Sequence, residues 1–318
     1  MGKQVIRFRS ATPGGHTWAI VEGALALPID GSFATTRELI ERGLPALATG
    51  ALPLGAPLPL RDLELLSPVT HPCRVIAQAT NYGDHRREVG LDPGARSSNV
   101  LFRKSSAAIS GPKDAIVRPS HVRLLDYEIE LGLVVGRRTS GPTHVDAERL
   151  GDFIVGLVIA NDVSARDVQV PEGQFYKGKS YRTFCPLGPY LFVPGPGELE
   201  LWPELELTLR VNGEIRQKAR AGEMIHRPAE TLTEILSIED LDPGDAILTG
   251  TPGGVALAPP KKPLRSLAEL LPESAKWRMF VEGQAKNPRY LKPGDRIEST
   301  IRSPDGRVDL GVQENLVR

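Results

Sequence analysis

Asp126, Glu128 and Glu130 stand two residues apart in the run from Leu124 to Val135, LLDYEIELGLVV. As a strand, this run puts the three carboxylates on one face and Leu125, Tyr127, Ile129 and Leu131 on the other. Two readings follow. The plain one is an amphipathic strand whose acidic face meets water. The sharper one is a hard-cation site, because stacked like charges repel and a divalent ion compensates them. An all-oxygen donor set favours Mg2+, Mn2+ or Ca2+ over zinc. The two flexible Glu arms can close on one ion, and Asp162 offers a third ligand from elsewhere, since it follows the apolar run Phe153 to Ala160, where an unpaired carboxylate is costly. Its ordinary alternative is to cap the next turn. Arg166 and Gln169 lie four and seven positions beyond Asp162, on one face if the segment is helical. That would set a bidentate anion binder and an amide beside the cation.

A proton carrier is also needed for chemistry, and NYGDHRRE (Asn81 to Glu88) supplies one. His85 and Glu88 are adjacent on a helical turn, so the carboxylate can orient the imidazole, the side chain that titrates nearest neutrality. An exposed His–Glu pair is the common alternative. Of six histidines, however, only His85 has both a carboxylate three residues on and flanking glycines, Gly83 and Gly90, that would let a loop open and close. Lys179, in Lys177-Gly178-Lys179-Ser180, can approach a ligand oxygen or sit in a solvated turn. Thr249-Gly250-Thr251-Pro252-Gly253-Gly254 can present backbone N–H groups to an anion, or be a plain loop.

Elements must hold these residues in place, and the chain is long enough to supply them. Its 318 residues suggest two domains, and 39 basic against 39 acidic side chains leave no global field for nucleic acid or an anionic membrane. Gly (32) and Pro (28) are plentiful enough to imply many turns between short strands. Two cysteines, Cys73 and Cys185, make neither a disulfide framework nor a thiolate zinc site. Met1 to Ser10 has no apolar stretch of signal-peptide length, and the longest uncharged run, 43–60, carries four prolines. A soluble, cytoplasmic protein is expected, with no nucleic-acid or membrane partner.

Residues 1–67 read as a small β-rich lead-in domain and 68–318 as the catalytic one. In the lead-in, Val5 to Phe8 and Trp18 to Val21 are strand candidates, and Thr36 to Gly43 a short helix with a Thr cap and a Gly stop. Pro45 to Pro59 would be a stiff connection. Beyond it, Pro228 to Ile238 is the clearest helix, with Leu232, Ile235 and Leu236 on one face. Leu241-Asp-Pro-Gly-Asp-Ala-Ile and Leu291-Lys-Pro-Gly-Asp-Arg-Ile each place a Pro-Gly turn before a strand. The fold class expected is α+β, mainly β. Neither GxGxxG nor a phosphate-loop motif occurs to suggest a nucleotide fold.

Taken together and in order, NYGDHRRE, DYEIELGLVVGR (from Asp126), NDVSARDVQ (from Asn161), KGKS (from Lys177), TFCPLGP (from Thr183), VNGEIRQ (from Val211) and LDPGDAILTGTPGGV (from Leu241) resemble the fumarylacetoacetate hydrolase family. Each motif alone is weak; their joint occurrence from about Ile76 to Val255 is specific. The resemblance implies a mixed β-roll core, usually dimeric, with a divalent metal, Mg2+ first, in its mouth. It implies Glu128, Glu130 and Asp162 as metal ligands, and His85 and Glu88 as a catalytic dyad on a mobile lid. Lys179, Arg166 and Gln169 would be the oxyanion and substrate contacts, with Tyr82, Gly250 and Thr251 completing the substrate site. The activity it favours is hydrolysis of a C–C bond in a 1,3-dicarbonyl 2-oxo acid, of the kind met in aromatic catabolism. Alternatives are a decarboxylase or isomerase of the same family, and a non-catalytic dicarboxylate binder. Two departures stand out: Arg182 occupies a position where many relatives have Asp, and 258–290 lengthens the chain, with a helix expected from Leu264 to Leu271 and an aromatic patch from Trp277 to Phe280.

Overall fold

The apolar run after Phe153 forms the strand Ile154–Asn161, which pairs antiparallel with Ile129–Val135 at the middle of the molecule. A continuous Val/Ile/Leu run demands cover on both faces, and both strands have it. In the computed structural model, which describes residues 2–10, 12, 14–94, 98–258 and 271–318, this pair is the centre of an eleven-stranded mixed sheet. In one direction the sheet continues through Leu191–Val193, Lys3–Arg9, His16–Glu22, Leu25–Pro28 and Leu58–Pro59. In the other it continues through Ala246–Leu248, Val75–Ala79 and Val100–Lys104. Only the pairing of Ala246–Leu248 with Val75–Ala79 along this path is parallel.

A second, four-stranded antiparallel sheet (Glu214–Arg220, Glu206–Val211, Arg296–Arg302, Asp309–Leu316) lies against the central pair. Two buried glutamines stitch the sheets together. Gln217 Oε1 accepts from Ile129 N at 3.0 Å, and Gln313 Nε2 donates to Ile159 O at 3.3 Å. Gln217 gives Ile129 N an acceptor inside the molecule, and Gln313 adds a second donor to Ile159 O, which also accepts from Gly188 N at 3.0 Å. The fold is α+β and mainly β. No helix among the described residues is long and apolar enough to cross a membrane.

Several local expectations change. The run from Leu124 is not one strand with a wet acidic face. It breaks into Leu125–Asp126 and Ile129–Val135, and Asp126, Glu128 and Glu130 are as buried as the apolar residues between them. Alternation reports a half-buried strand only where one face is open, and here neither is. Gly43 does not stop the first helix: one turn from Thr36 to Glu38, capped by Thr35, widens into a π turn over Leu39–Gly43 and continues as Leu44–Ala48. Pro45 is tolerated because it sits in the opening turn of that last segment. The helix Pro228–Ile238 has the expected bounds and buried face. Lys3–Arg9, inside the lead-in, pairs with Leu191–Val193, so the lead-in shares the core's sheet. The helix expected at Leu264 to Leu271 lies outside the described residues except for Leu271; Trp277 and Phe280 belong to the helix Glu273–Gln284.

Candidate active site

The ends of the central strands and the loop after Ala246–Leu248 converge on a cluster of buried charge. Glu128 occupies the break between the two strand pieces, its N–H donated to Asn161 Oδ1 at 3.0 Å, while Asp162 N donates to Glu128 O at 2.8 Å. These bonds hold the two acids side by side at the end of the ladder. Glu130, next along the strand, accepts from Gly250 N at 2.6 Å through Oε2. Gly250 is held at φ +87°, and a Cβ there would come within 2.7 Å of Asn81 Cβ, so only glycine brings this N–H to the carboxylate. One oxygen from each of Glu128, Glu130 and Asp162 lies within 4.8 Å of the others.

Three cations offset the acids. Arg166, first residue of the helix Arg166–Glu172, donates from Nε to Asp126 Oδ2 and from Nη1 to Gln169 Oε1, both at 2.8 Å, and from Nη2 to Glu128 Oε1. Lys179 Nζ bridges Glu128 Oε2, at 2.6 Å, and Asp162 Oδ2. Lys104, at the end of the strand Val100–Lys104, contacts Asp162 Oδ1 and Lys179 O. Burial by itself would raise the Glu128 carboxyl, but Arg166 and Lys179 outweigh it and hold the group well below the usual range. Burial also works against the charge on Lys179, and Asp162 and Glu128 more than restore it. Glu130 is different. Burial and then the charges of Asp162 and Glu128 push its carboxyl well above the usual range, and Oε1 has no hydrogen-bond partner. A buried, unpartnered carboxylate oxygen beside two more carboxylates is the environment a hard divalent cation relieves, so these residues fit such an ion.

A cavity of about 280 Å³ opens over the cluster. Its lining includes His85, Glu128, Arg166, Gln169, Lys179 and Thr251. His85 comes from the helix Gly83–Glu88, which follows the core strand Val75–Ala79. Asn81 anchors that helix by donating to Thr249 O at 2.8 Å and to His226 O at 3.0 Å. The expected His–Glu dyad is spaced as predicted but not hydrogen-bonded. His85 Nδ1 is 3.8 Å from Glu88 Oε2 and is buried without a partner. Glu88 instead accepts from Gly254 N at 2.8 and 3.0 Å, so its visible task is to hold the Gly-rich loop.

Other expected substrate residues are placed differently. Tyr82 is buried and lines a separate groove with Asp84, Arg87 and Lys218, not this cavity. Gly250 serves Glu130. Thr251 reaches the lining, yet its hydroxyl is engaged, donating to Ile129 O at 3.0 Å and accepting from Gln217 Nε2 at 2.7 Å. Lys104 and Gln217 join the site without a sequence signal that assigns them a place in it. A lysine closing a strand and a glutamine inside one carry no local signal of burial. Arg182 is exposed and is not part of the cavity lining.

Residues 74–318 match the family described as fumarylacetoacetate (FAA) hydrolase, C-terminal. The chain belongs to the fumarylacetoacetate hydrolase family. A mitochondrial oxaloacetate tautomerase of Rattus norvegicus is 35% identical over 287 residues, covering 89% of this chain and 79% of the relative. Among solved structures, a 2-hydroxyhepta-2,4-diene-1,7-dioate isomerase from Mycobacterium marinum superposes with a TM-score of 0.70 at 28% identity, covering 99% of this chain and 98% of that one. Fumarylacetoacetate hydrolase from Exiguobacterium antarcticum superposes with a TM-score of 0.73 at 28% identity, over 99% of each chain. The family thus contains enzymes of more than one reaction type, all named for small acids.

Proposed function

We propose that this chain is a divalent-cation-dependent tautomerase of 2-oxo acids of the oxaloacetate kind, moving a proton between C3 and the 2-oxo oxygen. The observation that carries the reading is the meeting of His85, Lys179 and the carboxylate cluster at one small cavity. Glu128, Glu130 and Asp162 would hold the cation, proposed as Mg2+ with Mn2+ as its substitute. When bound, it would supply Lewis-acid polarisation of the 2-oxo carboxylate. His85 takes the proton from C3 and returns it in the reverse direction. Lys179 donates to the 2-oxo oxygen as charge develops there. Arg166, locked by Asp126 and Gln169, fixes Glu128 so that the cation donors keep their places.

Tautomerisation needs one positioned base and no attacking water. That matches an imidazole unclamped by Glu88, and it matches the names of the rat tautomerase and the M. marinum isomerase. Hydrolysis of a C–C bond is the second reading. It draws support from the placement of His85 and Glu88 on one helical turn and from the likeness to the E. antarcticum hydrolase. A stopped-flow assay following loss of enol absorbance from oxaloacetate and from an acylpyruvate, with pyruvate measured in parallel, separates the two. Enol loss above the Mg2+-only blank, without pyruvate release, is the expected result. Stoichiometric pyruvate and a carboxylic acid from the acylpyruvate would establish hydrolysis instead.

A further inference from the structure

Three carboxylates supply six oxygens around the candidate cation site, and five of them already accept N–H bonds. Glu128 Oε1 is taken by Arg166 and Asp162 Oδ1 by Lys104. Glu130 Oε2 is taken by Gly250 N, and Glu128 Oε2 with Asp162 Oδ2 by the single ammonium of Lys179. Only Glu130 Oε1 is without a partner. Among the described residues, Lys179 Nζ is also the one donor that spans two of the three acids. It is buried, and its third side faces the Phe102 ring at 5.3 Å.

The geometry points to Lys179 as an internal stand-in for the metal: its ammonium holds the cation's place between Glu128 and Asp162, and cation binding expels it into the substrate cavity. The inference rests on the reading of these acids as a cation site. A divalent ion there would need carboxylate oxygens at about 2.0–2.6 Å, the range spanned by Mg2+ and Ca2+, and an ammonium bridging the same two oxygens would be left beside it with like charge. Arg166 cannot yield as easily, being fixed at three points by Asp126, Glu128 and Gln169. Lys104 touches only one of the three acids. Lys179 lines the cavity already, so withdrawal from the acids delivers its N–H groups to where a 2-oxo oxygen would lie. The cation then does two things in one event, building its own site and releasing the residue that meets substrate. Binding is therefore ordered, cation before acid.

Mn2+ binding, read by the loss of free-ion EPR signal, tests this without any turnover. Lys179→Met should bind Mn2+ about tenfold more tightly than the wild-type chain or better, because the resident competitor is gone. Lys104→Met removes the same charge from the same aspartate without vacating the bridge, and should tighten binding by several-fold less. Equal tightening by both variants, or weaker binding by Lys179→Met, overturns the inference. An absence of Mn2+ binding by the wild-type chain would instead remove the cation reading beneath it. Crystals of the wild-type protein grown with Mn2+ provide a check that needs no variant. Lys179 Nζ should stand clear of both Glu128 and Asp162, and retention of both contacts beside a bound ion contradicts the proposal.

Discussion

His85→Ala is expected to lower kcat by about 10²–10⁴-fold, the usual contribution of a positioned general base, while leaving Mg2+ affinity nearly unchanged. His85 borders the cavity but is not among the three acids that could share a cation. Glu88→Gln should cost far less. Glu88 is bound to Gly254 N and stands 3.8 Å from the imidazole, and a glutamine oxygen can accept the same N–H. Steady-state kinetics with an Mn2+ titration of each variant separates the roles. Normal kcat with weakened metal binding would move His85 into the coordination sphere. Equal losses in the two variants would mean that a true dyad forms once substrate binds.

Arg166→Met should be the most damaging single change to stability. It strips Asp126 and Glu128 of their buried guanidinium, and breaking a buried ion pair from one side typically costs about 3–5 kcal/mol. At about 2–4 °C per kcal/mol for chains somewhat smaller than this one, the melting temperature should fall on the order of 10 °C. Part of that loss belongs to the stranded carboxylate. Asp126 also receives Ala256 N at 2.8 Å through Oδ1 and Leu257 N at 3.1 Å through Oδ2, and an asparagine oxygen keeps one of the two. The double variant Asp126→Asn with Arg166→Met should therefore be more stable than Arg166→Met alone, a coupling that calorimetry of the full cycle would measure. An unchanged melting temperature in Arg166→Met would show that water reaches these acids, against their burial here.

Much of this arrangement was legible in the sequence, for reasons that differ by residue. Ile154–Asn161 and Pro228–Ile238 were readable because an apolar run and a 3.6-residue period are local patterns. Glu128, Glu130 and Asp162 were readable because carboxylates flanked by core residues conflict with burial unless something compensates them. What was not legible depends on contacts distant in the chain. The two-residue alternation of Asp126, Glu128 and Glu130 looks the same for a surface strand and for one covered on both faces. Only the second sheet and the Arg166 helix decide between them. Asp126, part of the same acidic stripe, turns away to serve Arg166, 40 residues on. Lys104 reaches Asp162 across 58 residues, and Gln217 reaches Ile129 across 88. Glu88 lies at the right spacing for His85, yet its nearest donor is the amide of Gly254, 166 residues away. Spacing predicts which side chains can meet, and packing selects which do.

The central claim is that His85 moves a proton at C3 of a 2-oxo acid beside a cation held by Glu128, Glu130 and Asp162. Its most direct test is solvent exchange at C3, followed by proton NMR in D2O on a 2-oxo acid that is neither cleaved nor decarboxylated, such as 2-oxobutanoate. The C3 proton signal should be lost with protein and Mg2+ together, at a rate well above that with Mg2+ alone. Metal-stripped protein and His85→Ala should give no acceleration. Exchange no faster than the Mg2+ blank, or equally fast in metal-stripped protein, would contradict the central claim.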